Sequence, residues 1–245
     1  MAIYIMWLRQ LKKYWRSKAR MIGSLGQPVL FLVALGFGLG PVYSKAGGGS
    51  YIDFLAPGII AMSILFTAMF GGISTIWDRQ FGFLKETLVA PVPRFHIMLG
   101  QTLGGATIAL IQGVVMFFIS LLVGFHPNWS YLPLAFVFMT LVAILFTALG
   151  MAISSRMRDM QAFPLIMNFI MMPLFFLSGS LFPVEGTGKV LSTVVKFNPL
   201  YYGVDAIRGS LGGTTAHFTL DIIVLSIVTI ILVWIGAKLF EKTEA

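Results

Sequence analysis

Residues 54–94 read FLAPGIIAMSILFTAMFGGISTIWDRQFGFLKETLVAPVPR. The first 24 of them, 54–77, carry no ionisable side chain. At 1.5 Å per helical residue such a run covers roughly 36 Å, more than the ~30 Å hydrocarbon core of a bilayer. Asp78 ends it, cations follow at Arg79, Lys85 and Arg94, and Pro91 and Pro93 stop any helix before the next apolar run. Comparable runs occupy 21–42, 97–124, 131–153, 162–182 and 219–237. The expected fold class is therefore an all-α integral membrane protein with six transmembrane helices, forming a single domain over 1–245.

The cations fix an orientation. Thirteen of the seventeen Lys and Arg residues fall in alternate segments: 9–20, 79–94, 156–158 and 238–242. Only Lys45, Lys189, Lys196 and Arg208 occupy the others. The positive-inside rule then puts both termini in the cytoplasm of a multi-pass protein of the cell (inner) membrane. Hydrophobic residues make up 58% of the 245-residue chain and charged residues 11%, far from the soluble average. The net charge of +8 sits in short loops beside apolar spans, where anionic lipid accounts for it, so nucleic acid is not an expected partner. Cysteine is absent, which excludes disulfides, thiolate metal sites and a cysteine nucleophile. The first apolar run is longer than a signal h-region and has no small-residue cleavage site, so it is expected to be retained.

Residues 1–20 form an expected amphipathic interface helix. At 3.6 residues per turn Tyr4, Trp7, Leu8, Leu11, Tyr14 and Trp15 share one face and Arg9, Lys12, Lys13, Arg16 and Arg20 the other, with Lys18 breaking the pattern. It reads as a basic topogenic anchor or as an elbow that also touches a cytoplasmic subunit. In the loop at 78–94, Phe81, Leu84 and Leu88 recur at helical spacing, with Asp78, Arg79, Lys85 and Glu86 around them. A short helix with aromatic knobs, Phe81 and Phe83, suits a groove on another protein; lying on the bilayer is the alternative.

The segment at 183–218 is too patterned for a plain loop. Val190, Leu191, Val194 and Val195 form one apolar face, and Asn198 then Pro199 reads as an N-cap and first helical residue. Tyr201, Val204, Ile207 and Leu211 repeat at three or four, Asp205 can meet Arg208, and Gly212 with Gly213 ends the helix. Two helices dipping into the outer leaflet, or a surface hairpin, fit this pattern.

The chain resembles the permease subunits of ABC-2 type transporters, especially the daunorubicin-resistance and multidrug-export branch. The resemblance rests on the six-span plan, on FGFLKETLVAPVPR at 81–94, on SGSLFP at 178–183 and on NPLYYGVDAIRGSL at 198–211. It implies a coupling helix at 78–88, where Asp78, Arg79, Phe81, Phe83, Leu84, Lys85, Glu86 and Leu88 would receive the motion of a separate cytoplasmic ABC ATPase. It implies an outer re-entrant gate including Asn198, Pro199, Tyr201, Tyr202, Asp205 and Arg208. It also implies a dimer, expected to be a homodimer, driven by two copies of the ATPase. The first, second and fifth spans would flank the shared path, and cargo would move outward. This chain would bind no cofactor; ATP and magnesium would belong to the ATPase.

Within the spans, Gln112 and Asn168 are the strongest candidate buried hydrogen-bonding groups, and helix-to-helix bonding is the expected role. Pro164 and Pro173 are expected to kink the fifth span. Met167 and Met171, with Asn168, could line an adaptable apolar path or simply fill core. Gly36 with Gly40, and Gly100 with Gly104, have the spacing for close helix approach without naming a partner. Chemistry of its own is not expected. The sequence GTGKV at 186–190 has Pro183 where a phosphate loop needs its first Gly and Val190 where it needs Ser or Thr. His96, His126 and His217 have no metal-site spacing, so no metal is expected. The expected function is the permease of an ATP-driven exporter of a hydrophobic or amphiphilic substrate: drug, lipid or glycolipid. The alternative is an ion-gradient-driven secondary transporter, which would place an acid within the membrane. An intramembrane lipid-modifying enzyme would need a cluster of acids, histidines or metal ligands, and none appears.

Overall fold

The structure is a computed structural model describing residues 1–45, 49–81, 92–157, 159–184, 188–213 and 217–241. Those residues form helices and their connections. In chain order the helices are α1 Ala2–Arg16, α2 Lys18–Lys45, α3 Tyr51–Gly71, α4 Ile73–Gln80, α5 Arg94–Val123, α6 Leu132–Arg156, α7 Ala162–Phe176, α8 Lys189–Lys196, α9 Pro199–Gly212 and α10 Phe218–Glu241. A 3₁₀ turn, Trp129–Tyr131, precedes α6.

Among the described residues five helical stretches are long and apolar enough to cross a membrane: Lys18–Lys45, Tyr51–Gln80, Arg94–Val123, Trp129–Arg156 and Phe218–Phe240. The chain is a multi-pass membrane protein. The sixth expected span, 162–182, is helical only in its first part: α7 stops at Phe176 after 15 residues, about 22 Å of helix against a ~30 Å core, and the turn at 177–182 carries the run on to the opposite end of the bundle. The cause is local. Gly179 adopts φ +72°, a conformation that ends the helix and that a side chain would strain, while Ser178 Oγ turns back onto Phe175 O at 2.6 Å. Pro173 lies within α7, and Pro164 falls in its first turn, where a missing N–H is tolerated.

Helix α3 is the axis of the bundle. Every residue from Leu55 to Met69 is buried, so its sequence shows no polar stripe, as a helix enclosed on all sides should not. It contacts α2, α5, α6, α7 and α9, whereas α2 and α10 leave most of their surface exposed. Such outer helices present apolar side chains to lipid or to another chain.

The expected interface helix is present as α1, but its packed face is different from the expected one. Met6, Gln10 and Tyr14 are buried, while Tyr4, Ile5 and Trp15 are exposed. The reason lies about a hundred residues away. A Cβ at Gly100 would fall 2.7 Å from Ile3 O and Met6 Cβ, and one at Gly104 would fall 2.7 Å from Gln10 Cβ. The Gly100 and Gly104 pair therefore has a partner: it is the groove into which α1 lies along α5. Of the other pair, Gly36 faces Ile52 and Gly40 faces open space.

Candidate functional site

At the end of the bundle that carries α1, polar side chains lock four helices around the root of the 82–91 segment. Asp78 of α4 is 2% exposed, and its Oδ1 accepts from Lys13 Nζ at 2.8 Å and Arg9 Nη2 at 3.0 Å. Gln10 Nε2 donates to Ser74 Oγ at 3.3 Å, and Trp7 Nε1 donates to Thr107 Oγ1 at 3.0 Å. On the other side of α4, Arg79 donates to Ser155 O at 2.8 Å and to Met157 O at 2.9 Å, serving carbonyls at the C-terminus of α6 where a cation also suits the helix dipole. Inside, Thr75 Oγ1 donates to Gln101 Oε1 at 3.2 Å. The paired charges are 30% and 46% exposed on the cationic side, so this is a half-wet lattice.

Asp78 and Arg79 were expected on the surface of the coupling helix, offered to a partner; the structure turns both inward instead, as fasteners of α4 to α1 and to α6. The expected knob at Phe81 does stand out. It is 59% exposed and stacks on the 44% exposed Trp77, ring centroids 5.3 Å apart. Phe83, Leu84, Lys85, Glu86 and Leu88 lie outside the described residues, as does the expected helix they would form. The chain returns at Val92, which joins a small apolar cluster of Met6, Ile97, Met98, Ala237 and Phe240. Both roots of the 82–91 segment are thus seated on the same block.

The opposite end of the bundle holds the patterned segment. Asn198 is the N-cap of α9, its Oδ1 accepting from Leu200 N at 3.0 Å, and Pro199 is the first helical residue. The Asn198 amide also donates to Leu174 O at 2.6 Å, taking a carbonyl freed where α7 ends. Leu200, Val204, Ile207 and Leu211 are buried against the bundle, and Gly213 at φ +67° closes the helix. In α8, Val195 is buried while Val190 and Val194 are exposed, so the expected apolar face of that helix packs only in part. Tyr202 Oη donates to Lys196 O at 2.9 Å, joining α9 to α8. Tyr201 is half-buried.

Arg208 reaches across elements. Its Nη2 donates to Gly179 O at 3.0 Å and Ser180 O at 3.3 Å, its Nε donates to Phe54 O at 3.3 Å, and the guanidinium lies 4.0 Å from the centroid of the Phe54 ring. Its role is not confined to the pairing with Asp205 that the spacing suggested. Tyr51 Oη donates to Leu181 O at 2.9 Å. The turn at 177–182 is therefore held by Arg208 and Tyr51, with Asn198 securing the end of α7 before it, a staple that helical spacing could not reveal because its acceptors are main-chain oxygens.

The expected path residues separate. Met167 and Met171 are fully buried with Phe163 and Phe175 on the face of α7 that packs into the core. Asn168 is exposed beside Leu165 and Phe169, which corrects its assignment as a buried hydrogen-bonding group. Gln112 is buried as expected. Its amide Nε2 meets Tyr14 Oη, Met21 O at 3.0 Å and Ser24 Oγ at 2.8 Å, tying α5 to both sides of the α1–α2 elbow. Burial pushes the Tyr14 hydroxyl pKa up, with Gln112, Ser24 and Arg20 opposing. The acid closest to what the rival reading needs is Asp221, 1% exposed. It stands in the first turn of α10, where the positive end of the helix dipole favours a carboxylate, and at the end of the span, away from its middle. No group of three or more potential metal ligands occurs among the described residues.

The sequence pattern of ABC-2 type transporters matches residues 1–212. Nodulation protein J of Rhizobium leguminosarum bv. trifolii is 30% identical over 207 residues, covering 84% of this chain and 76% of that protein. Nodulation protein J of Rhizobium leguminosarum bv. viciae is 29% identical over 227 residues, 91% of this chain and 87% of that protein. A putative transport permease, ycf38, of Porphyra purpurea is 31% identical over 225 residues, 89% and 76% respectively. These relatives do not single out the daunorubicin-resistance branch.

Proposed function

The chain belongs to the ABC-2 type transporter family, and from that premise we propose that it is the permease subunit of an ATP-driven exporter working with a separate cytoplasmic ABC ATPase. ATP and magnesium are held by two copies of that ATPase. The ATPase docks on the 82–91 segment through the aromatic knobs Phe81 and Phe83, at the cytoplasmic end of the bundle, with both termini on that side. One observation carries this: α4, the direct link between the central span and that segment, is fastened by Asp78 to α1 and by Arg79 to α6. A push on the segment is then delivered to three helices as one body, which is what conversion of a partner's motion requires.

A second permease, a homodimer in our reading, completes the path. Asn168 supports it, because an amide on an otherwise apolar exposed face is costly against lipid and gains from a facing chain or a wet path. Cargo is a hydrophobic or amphiphilic molecule, moved outward between α2 and α7 of the two copies, the central α3 being enclosed within each copy, and the stapled turn at 177–182 with α9 closes the outer side. A photoreactive residue at position 83 tests the ATPase assignment in living cells. Irradiation is expected to trap an ABC ATPase from position 83 and none from position 128 at the opposite end. Equal trapping at both positions, or none at position 83, overturns it.

A further inference from the structure

Two adjoining cavities of about 390 Å³ each open under the α1–α2 elbow, and Tyr14, Arg20, Thr67 and Ile73 line both. Their lining is graded. Toward α1 the wall carries Gln10, Lys13 and Ser74; toward the middle of α2 it carries Pro28, Phe66 and Phe70. Arg20, Gly23, Ser24 and Gln27 recur at three or four residues, so one face of α2 presents a cation, a gap, a hydroxyl and an amide in succession to the cleft. A Cβ at Gly23 would meet nothing within 4 Å, which leaves that face open.

Of the two cations that line the cleft, Lys13 is paired with a carboxylate and Arg20 is not. Arg9 and Lys13 share Asp78, and Arg79 serves the end of α6. The Arg20 guanidinium makes one long contact, Nη2 to Phe70 O at 3.5 Å, and has no salt-bridge partner among the described residues. Near the start of an apolar helix it stands at headgroup depth. A guanidinium beside the Gln27 amide recognises a phosphate diester, and an apolar slot continuing from it accepts an acyl chain.

We propose that this cleft is a binding site for the phosphate headgroup of an anionic membrane lipid, with Arg20 as its phosphate ligand and an acyl chain against Phe66 and Phe70. The site is independent of the ATPase assignment, since it requires no partner chain. It is also distinct from the general attraction of the basic belt for anionic lipid, because the neighbouring Lys18 contributes to the belt and not to the cleft lining.

The test is native mass spectrometry of the full chain titrated with phosphatidylglycerol and, separately, phosphatidylcholine. The wild type is expected to retain phosphatidylglycerol preferentially. Arg20→Gln should weaken that binding about tenfold, the loss of one charge-assisted contact, while Lys18→Gln changes it by less than about twofold. Gly23→Leu fills the opening without altering charge and should also weaken it about tenfold, whatever the arginine variant does to folding. Equal effects of Arg20→Gln and Lys18→Gln, or wild-type binding by Gly23→Leu, would overturn the site. Displacement of the lipid by excess inorganic phosphate alone would overturn its lipid specificity.

Discussion

Removing the charge at Asp78 should loosen α1 from the bundle without unfolding the spans. Asp78→Asn keeps the shape of a side chain that is 2% exposed and leaves Arg9 and Lys13 without their anion. A hydrogen bond to a charged group contributes about 1.5–3 kcal/mol when protected from water. The discount here is large for Lys13, 46% exposed, whose ammonium can turn to water or to lipid phosphate, leaving about 0.5 kcal/mol. It is smaller for Arg9, 30% exposed, for which about 1.5 kcal/mol is reasonable. The total, about 2 kcal/mol, corresponds to roughly a thirtyfold shift in the docking equilibrium of α1. Hydrogen exchange of the amides in Ala2–Arg16 reads that shift, since detached amphipathic helices of this length are marginal. Protection in α3 should stay unchanged because its burial is apolar. Wild-type protection of α1 in the variant would refute the assignment of Asp78 as the fastener, and an equal loss across α3 would show that the ion pairs support the whole bundle.

Two further predictions concern the opposite end and the orientation. Arg208→Ala should lower stability by about 3 kcal/mol, from several lost carbonyl contacts and one ring contact, visible as a lower unfolding temperature. The exchanged pair Asp205→Arg with Arg208→Asp should recover little of it, because an aspartate cannot donate to Gly179 O, Ser180 O or Phe54 O; full recovery would return the main role to the charge pair. Single cysteines at positions 12, 45 and 189, in a chain that has none, should react with an impermeant thiol reagent on intact cells at 45 and 189 and not at 12, and the reverse pattern would invert the orientation.

Features set by neighbours along the chain were legible. Asn198 and Pro199 at the start of α9, and Gly213 after its end, follow from capping chemistry that acts within one turn. The long spans were legible from length and apolarity alone. The end of α7 was not, because 162–182 carries no charge and the turn through Gly179 that follows the helix is held by Tyr51 and Arg208 from other elements. The packed face of α1 was hidden for a related reason. Amphipathicity identifies a face suited to lipid, whereas Met6, Gln10 and Tyr14 were selected by the groove at Gly100 and Gly104. Likewise Asp78 and Phe81 are three residues apart and looked like parts of one exposed surface. The first is buried under α1 and the second projects, because α4 lies between the bundle and the open side.

In the proposed function, Phe81 and Phe83 form the contact through which an ATPase drives this chain. The direct measurement is the ratio of transport to ATP hydrolysis, in membranes containing the assembled transporter, for Phe81→Ala combined with Phe83→Ala at wild-type expression. Truncating two aromatic knobs of an interface removes about 2 kcal/mol or more from each buried position, so the ATPase should either dissociate or hydrolyse ATP without moving cargo. A double variant that keeps both its ATPase and the wild-type transport ratio contradicts the account.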